Sequence, residues 1–143
     1  MSEQPAVAPP MPVADELTQF FWDGAARQEL LILQCTACGT FLHPPRPVCR
    51  SCLSTDVAPK QVSGRATLYT WTVVEQAFHP FYADKVPYVY ATVELVEQPG
   101  LRLITNIVDG APDELQAGMP VEVTFQQVSP DLTLPLFRPA GRP

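Results

Sequence analysis

Between residues 64 and 138 the chain is patterned with a period of two. In residues 88–95, Val89, Ala91, Val93 and Leu95 fall on one face, and Tyr88, Tyr90, Thr92 and Glu94 on the other. This is the alternation of a strand with one side buried. Val121, Val123 and Phe125 alternate with Glu122, Thr124 and Gln126 in the same way. Residues 67–74 and 101–108 are rich in β-branched and aromatic side chains and read as two further strands, with residues 132–137 as a fifth. Gln98-Pro99-Gly100 and Gly118-Met119-Pro120 supply turns, and residues 112–115 fit a single helical turn with Pro early and Gly118 beyond its end. Five short antiparallel strands in about 75 residues suit a small closed barrel, because an open sheet of that size leaves edges to protect. An OB-type barrel is the expectation, with an SH3-like barrel or a small sandwich compatible with the strand count.

Before the strands the period changes. Leu17, Phe20, Phe21 and Ala25 recur at helical spacing behind Asp15, which predicts a helical segment within 14–29, running to about Gln28 with Gly24 as a weak point. The aromatic run Phe20-Phe21-Trp22 covers more than one side of such a helix, which suits core packing better than a partner-binding patch. Residues 1–13 carry Pro5, Pro9, Pro10 and Pro12 among small residues and read as a disordered leader. The expected organisation is thus the leader, a helical segment at 14–29, a cysteine-bearing segment at 30–62, a barrel at 63–138 and a tail at 139–143.

Composition narrows the class. The chain has 143 residues and 17 prolines, against a usual share of about 5%, which disfavours long helices. The longest aliphatic run, Leu30-Leu31-Ile32-Leu33, is far below the roughly 20 residues that span a bilayer. The N-terminus lacks the basic start and apolar stretch of a secretory signal, so a cytoplasmic setting with reduced thiols is expected. A net charge of −6 without any Lys/Arg cluster argues against a protein that holds nucleic acid by neutralising phosphates.

The strongest chemical signal is Cys35-x-x-Cys38 followed by Cys49-x-x-Cys52. Two such pairs present four thiolates from two tight turns, the arrangement a tetrahedral ion requires. Gly39 permits the close turn after the first pair, and Leu53 holds the corresponding place after the second. A four-cysteine zinc site has no open coordination position and is structural; iron shares the ligands and geometry. Redox disulfides fit matched pairs less well. The stabilisation matters because Leu33, Phe41, Leu42 and Val48 make a meagre core for that segment.

Catalytic machinery is not evident. His43 beside Pro44 reads as a turn or packing residue, and His79 sits in the aromatic loop Phe78-His79-Pro80-Phe81-Tyr82, suited equally to closing the barrel mouth or meeting a ligand or partner. Glu75, Asp84, Glu94, Glu97, Asp109, Asp113 and Glu114 are scattered, no phosphate loop or nucleophile elbow is present, and no cysteine remains free as a nucleophile.

Taken in order, Phe20-Phe21-Trp22-Asp23-Gly24, the Cys35/Cys38 knuckle, Pro45-Arg46, the Cys49/Cys52 knuckle, Ser63-Gly64-Arg65, Tyr69 to Val74, Pro87-Tyr88 and Gly118-Met119-Pro120-Val121 resemble the acyl-CoA-associated OB-fold family with a rubredoxin-like zinc ribbon. The resemblance covers about residues 15 to 138. It implies a non-catalytic accessory subunit of a thiolase, thiolase-like aldolase or hydratase, in which a thiolase-fold subunit supplies the catalytic residues and this one supports that active site. It also implies roles such as steroid side-chain or aromatic acid degradation, and in some assemblies a share in holding coenzyme A. Structural Zn2+ on Cys35, Cys38, Cys49 and Cys52 follows the same pattern. Coenzyme A phosphates would want cations, for which Lys60, Arg65, Lys85 and Arg102 are available although each reads first as a surface charge. The competing class is a single-strand nucleic-acid binder, since OB barrels and zinc ribbons both serve there, and the acidic balance weighs against it.

Overall fold

The computed structural model describes residues 6–141. Of the expected leader, residues 1–5 lie outside the described residues, and 6–13 carry no helix or strand. Of the expected tail, 142 and 143 also lie outside them.

The described residues form eight strands and one α-helix. Strands β1 (Leu31–Cys35), β2 (Phe41–Leu42) and β3 (Val57–Gln61) form a three-stranded antiparallel sheet in the order β2-β1-β3. Strands β4 (Arg65–Val74), β5 (Tyr88–Leu95), β6 (Arg102–Ile107), β7 (Pro120–Ser129) and β8 (Leu132–Pro139) close a barrel in the order β4-β5-β6-β8-β7. The barrel returns to its start through Arg65↔Glu122, Ala66↔Val121 and Thr67↔Pro120. The period-two reading of β5 holds: Val89, Ala91, Val93 and Leu95 are buried. A single 3-10 turn, Pro112–Glu114, stands before β7 as the Pro and Gly pattern suggested. β8 runs to Pro139, one residue past the expected end of the barrel.

Two sequence expectations are corrected. Helix α1 is Gln19–Ala26 and does not start at Asp15. The Asp15 carboxylate accepts hydrogen bonds from the backbone N–H groups of Leu17 and Thr18 and from the Thr18 hydroxyl (2.8–3.1 Å), which locks a turn ahead of the helix. Gly24 is also no weak point. A Cβ there would lie 2.7 Å from Leu31 Cγ, so the absent side chain is what lets α1 press onto β1. β3 escaped the pattern reading because Pro59 and Lys60 interrupt it. As an outer strand, β3 tolerates a proline opposite Leu33.

The two sheets share one folded body. Leu30 and Ile32 pack into the barrel core with Leu68, Val93, Leu103 and Phe137, while Leu33 and Cys35 pack with Leu42 and Cys49 in the ribbon. α1 spans the same junction, with Phe20 against the ribbon cluster and Phe21 against the barrel core. The run Phe20-Phe21-Trp22 covers more than one face because each face has a different core to meet. Gln98, in the β5–β6 turn, adds a polar staple: its Oε1 accepts from Phe41 N–H at 2.8 Å and its Nε2 donates to the Phe41 carbonyl at 3.1 Å, as a neighbouring strand would.

The Ser63-Gly64 lead-in has a physical reason too. Gly64 has φ of 79°, accepts from Val123 N–H at 2.8 Å, and lies so close to the Val123 side chain that a Cβ would overlap it. Gly64→Ala should therefore destabilise the protein by at least about 2 kcal/mol, from left-handed strain and overpacking together. Gln98→Ala should cost about 1–2 kcal/mol by leaving partly buried backbone groups of Phe41 unpaired. Urea unfolding of both variants measures these costs.

Candidate metal centre

The four cysteines come together at one end of the ribbon. Their Sγ atoms all lie within 4.8 Å of one another, with Cys35 to Cys52 and Cys38 to Cys49 both at 3.6 Å. Around zinc with bonds of about 2.3 Å, tetrahedral sulfurs sit about 3.8 Å apart. The four side chains therefore fit a tetrahedral ion, and such an ion, once bound, supplies a cross-link between two turns.

The two turns are built alike. In the first, Gly39 N–H donates to the Cys35 carbonyl at 2.8 Å and Cys35 N–H to the Thr40 carbonyl at 2.9 Å. In the second, Leu53 N–H donates to the Cys49 carbonyl at 3.0 Å and Cys49 N–H to the Ser54 carbonyl at 2.9 Å. The equivalence extends to backbone angle: Gly39 has φ of 82° and Leu53 φ of 63°. The second knuckle thus has the same geometry with a leucine in a conformation that favours glycine. Cys35 and Cys49 are buried, whereas Cys38 and Cys52 are exposed.

Charge explains why such a cluster wants a cation. Hydrogen bonding by the Thr40 hydroxyl and backbone holds the Cys38 thiol down to about 6. Cys52, although a backbone hydrogen bond at Ser54 favours its thiolate, is pushed up to about 12 by Cys35, by partial loss of hydration and by the other two thiols. Four sulfurs at this spacing cannot all ionise alone; a divalent cation removes the conflict.

The other residues singled out in the sequence do not converge. Arg65 opens β4 and Arg102 opens β6, where its guanidinium stacks over the Tyr69 ring at 3.8 Å and pairs with Glu94 at 3.3 Å. Lys85 lies at the opposite end of the β4–β5 hairpin, over the Phe81 ring at 4.0 Å and 3.0 Å from Asp84. Lys60 is on β3. His79 caps the 3-10 turn Pro80–Tyr82, its Nδ1 accepting from Phe81 N–H at 3.1 Å. The loop ring Tyr82 stacks on Tyr88 while Phe78 stays exposed. His43 is half-buried beside Phe21, a packing position as expected, and burial holds its imidazole below the ordinary range.

Comparison with known proteins fits this division of the chain. Residues 22–58 match the ChsH2 rubredoxin-like zinc ribbon domain and residues 59–126 the ChsH2 C-terminal OB-fold domain. A DUF35 domain-containing scaffold protein of Methanocaldococcus jannaschii is 36% identical over 103 residues, 71% of each chain. The chain belongs to the ChsH2/DUF35 family. In that family, a solved structure described as the Ltp2-ChsH2(DUF35) aldolase has a chain 41% identical to this one, with a TM-score of 0.82 over 91% of this chain and 99% of that one. A probable enoyl-CoA hydratase alpha subunit of Thermomonospora curvata is 40% identical over 138 residues, 96% of this chain and 42% of that protein. The 3-oxo-4,17-pregnadiene-20-carboxyl-CoA hydratase alpha subunit of Mycobacterium tuberculosis is 34% identical over 128 residues, 90% of this chain and 39% of that protein. The chain therefore spans about two fifths of the hydratase subunits it matches. No helix among the described residues is long and apolar enough to cross a membrane.

Replacing any one of the four cysteines by serine should abolish stoichiometric metal, read as zinc per chain by elemental analysis of the purified protein. Zinc affinity should fall as the pH is lowered from about 7 to about 5, because protons compete for the thiolates. Leu53→Gly should leave metal content intact and raise stability by about 1 kcal/mol, by relieving the left-handed leucine.

Proposed function

We propose that this chain is a non-catalytic accessory subunit of an acyl-CoA aldolase or hydratase complex. Cys35, Cys38, Cys49 and Cys52 hold a structural zinc ion, and the catalytic residues come from a thiolase-fold or aldolase partner whose active site this subunit supports. The observation that carries the reading is the likeness to the Ltp2-ChsH2(DUF35) aldolase, which covers nearly the whole of that chain at 41% identity and includes both the ribbon and the barrel. The hydratase relatives extend it to acyl-CoA chemistry, including a steroid-derived substrate in one relative's name.

The side chains agree with a supporting role. The cysteines cluster for metal, and the carboxylates Glu94 and Asp84 are spent on Arg102 and Lys85. The same pairings bear on coenzyme A. Of the candidate cations, Arg65 and Lys60 have no ion pair among the described residues, and Arg65, which opens the barrel's first strand, is the one proposed to meet a phosphate-bearing acyl carrier shared with the partner. The acidic balance and the neutralised Arg102 leave little basic surface for nucleic acid.

Co-expression with the catalytic chain of a thiolase-like aldolase tests the reading. A stable hetero-oligomer with retro-aldol activity at least about tenfold above the catalytic chain alone is expected. A chain that stays apart and leaves the partner's solubility and activity unchanged would contradict the proposal. Arg65→Glu should raise the KM for the acyl-CoA substrate while leaving the complex assembled.

A further inference from the structure

Away from the metal cluster, the barrel wall has a gap. β6 and β8 run parallel and pair only at Ile107↔Phe137, with Val108 N–H donating to the Phe137 carbonyl at 2.8 Å. Two residues earlier on each strand the ladder is replaced by a side chain: the Thr105 hydroxyl donates to the Pro135 carbonyl at 3.3 Å. The seam opens into a cavity of about 430 Å³, covered by α1 on one side and by the loop His43-Pro44-Pro45 on another. That volume lies within the range of small-molecule sites, about 300–1,000 Å³.

The chemistry of the walls is selective. Phe21, Trp22, Pro44, Pro45, Ile104 and Leu134 present apolar surfaces, several of them flat and rigid. Among the described residues no Asp, Glu, Lys or Arg lines the cavity, so a charged occupant would lose its hydration without gaining a partner. Polar atoms are few and mostly committed. Thr18 hydrogen-bonds with Asp15, and Thr105 is engaged across the seam. Asn106 Nδ2 donates to the Val89 carbonyl at 2.9 Å, which fixes the amide and leaves its oxygen as an acceptor. The His43 ring, kept neutral by burial, has no hydrogen bond among the described residues and supplies a second polar point. Of the lining residues, Tyr90, 46% exposed, and Ile104, 67% exposed, face outward and give the opening an apolar edge.

We propose that this cavity is a binding site for an uncharged, flat ring system carrying one hydroxyl or carbonyl group. The rings lie between the Trp22 and Pro44 side and the seam strands, and the polar group faces Asn106 or His43. Nothing in this assignment depends on which catalytic subunit the chain accompanies, and loss of the partner complex would leave it standing.

The test uses the full chain with its metal. Its 1H–15N spectrum is followed at the Trp22 indole and Asn106 side-chain signals during titration with 2-naphthol and, separately, with 2-naphthoate at neutral pH. 2-Naphthol should shift both signals saturably, while 2-naphthoate, of similar shape but charged, should bind at least about tenfold more weakly. Ile104→Arg, at an exposed rim position that tolerates a polar side chain, should weaken 2-naphthol by at least about tenfold with the remaining spectrum preserved. Equal binding of the two probes, or shifts confined to other parts of the chain, would overturn the site. So would Trp22 and Asn106 signals that ignore 2-naphthol yet move on adding the catalytic partner, which would assign the cavity to a protein contact.

Discussion

Strand β1 serves two cores, and the rest of the structure depends on that sharing. Its neighbour Leu30 and its own Ile32 are buried in the barrel, while Leu33 and Cys35 are buried in the ribbon. Each fully buried leucine or isoleucine contributes about 1.5–3 kcal/mol, so the barrel draws a substantial part of its stability from a strand outside its own sheet. Cys35 ends that strand and belongs to the sulfur cluster. A metal ion on the four thiolates would therefore fix the strand at one end, and the strand would carry the constraint into the barrel.

α1 depends on the same arrangement. Gly24 gives it close contact with Leu31, and Phe20 and Phe21 reach the two cores. Held there, the helix roofs the seam between β6 and β8, and the loop that follows β2 forms the adjoining wall. A ribbon that lost its cross-link would lose hold of both the strand and the loop. Metal, helix position and cavity are in this sense one mechanical system, consistent with a subunit that offers a rigid surface to a partner.

Much of this was legible in the sequence where a residue answers to local chemistry. The alternation of residues 88–95 reports a strand because one side is buried, and two Cys-x-x-Cys pairs report a cluster of four converging sulfurs. The start of α1 was misplaced because Asp15 caps a turn with the same hydrogen bonds it would use to cap a helix. β3 was hidden because an edge strand need not alternate and accepts Pro59. The role of Gln98, bonded to Phe41 across 57 positions of sequence, is set by tertiary contact and leaves no local signal. The seam is of the same kind: it exists because β6 and β8 diverge after one pair, which no periodicity within either strand records.

The central claim is that the metal cluster stabilises the barrel through β1. Amide hydrogen exchange, measured on the full chain with zinc and after removal of zinc by a chelator under reducing conditions, tests it most directly. Protection at Ala91, Val93 and Leu103 should fall by at least about tenfold together with protection at Leu33 and Cys35. Barrel amides that keep full protection while the ribbon amides lose theirs would contradict the account.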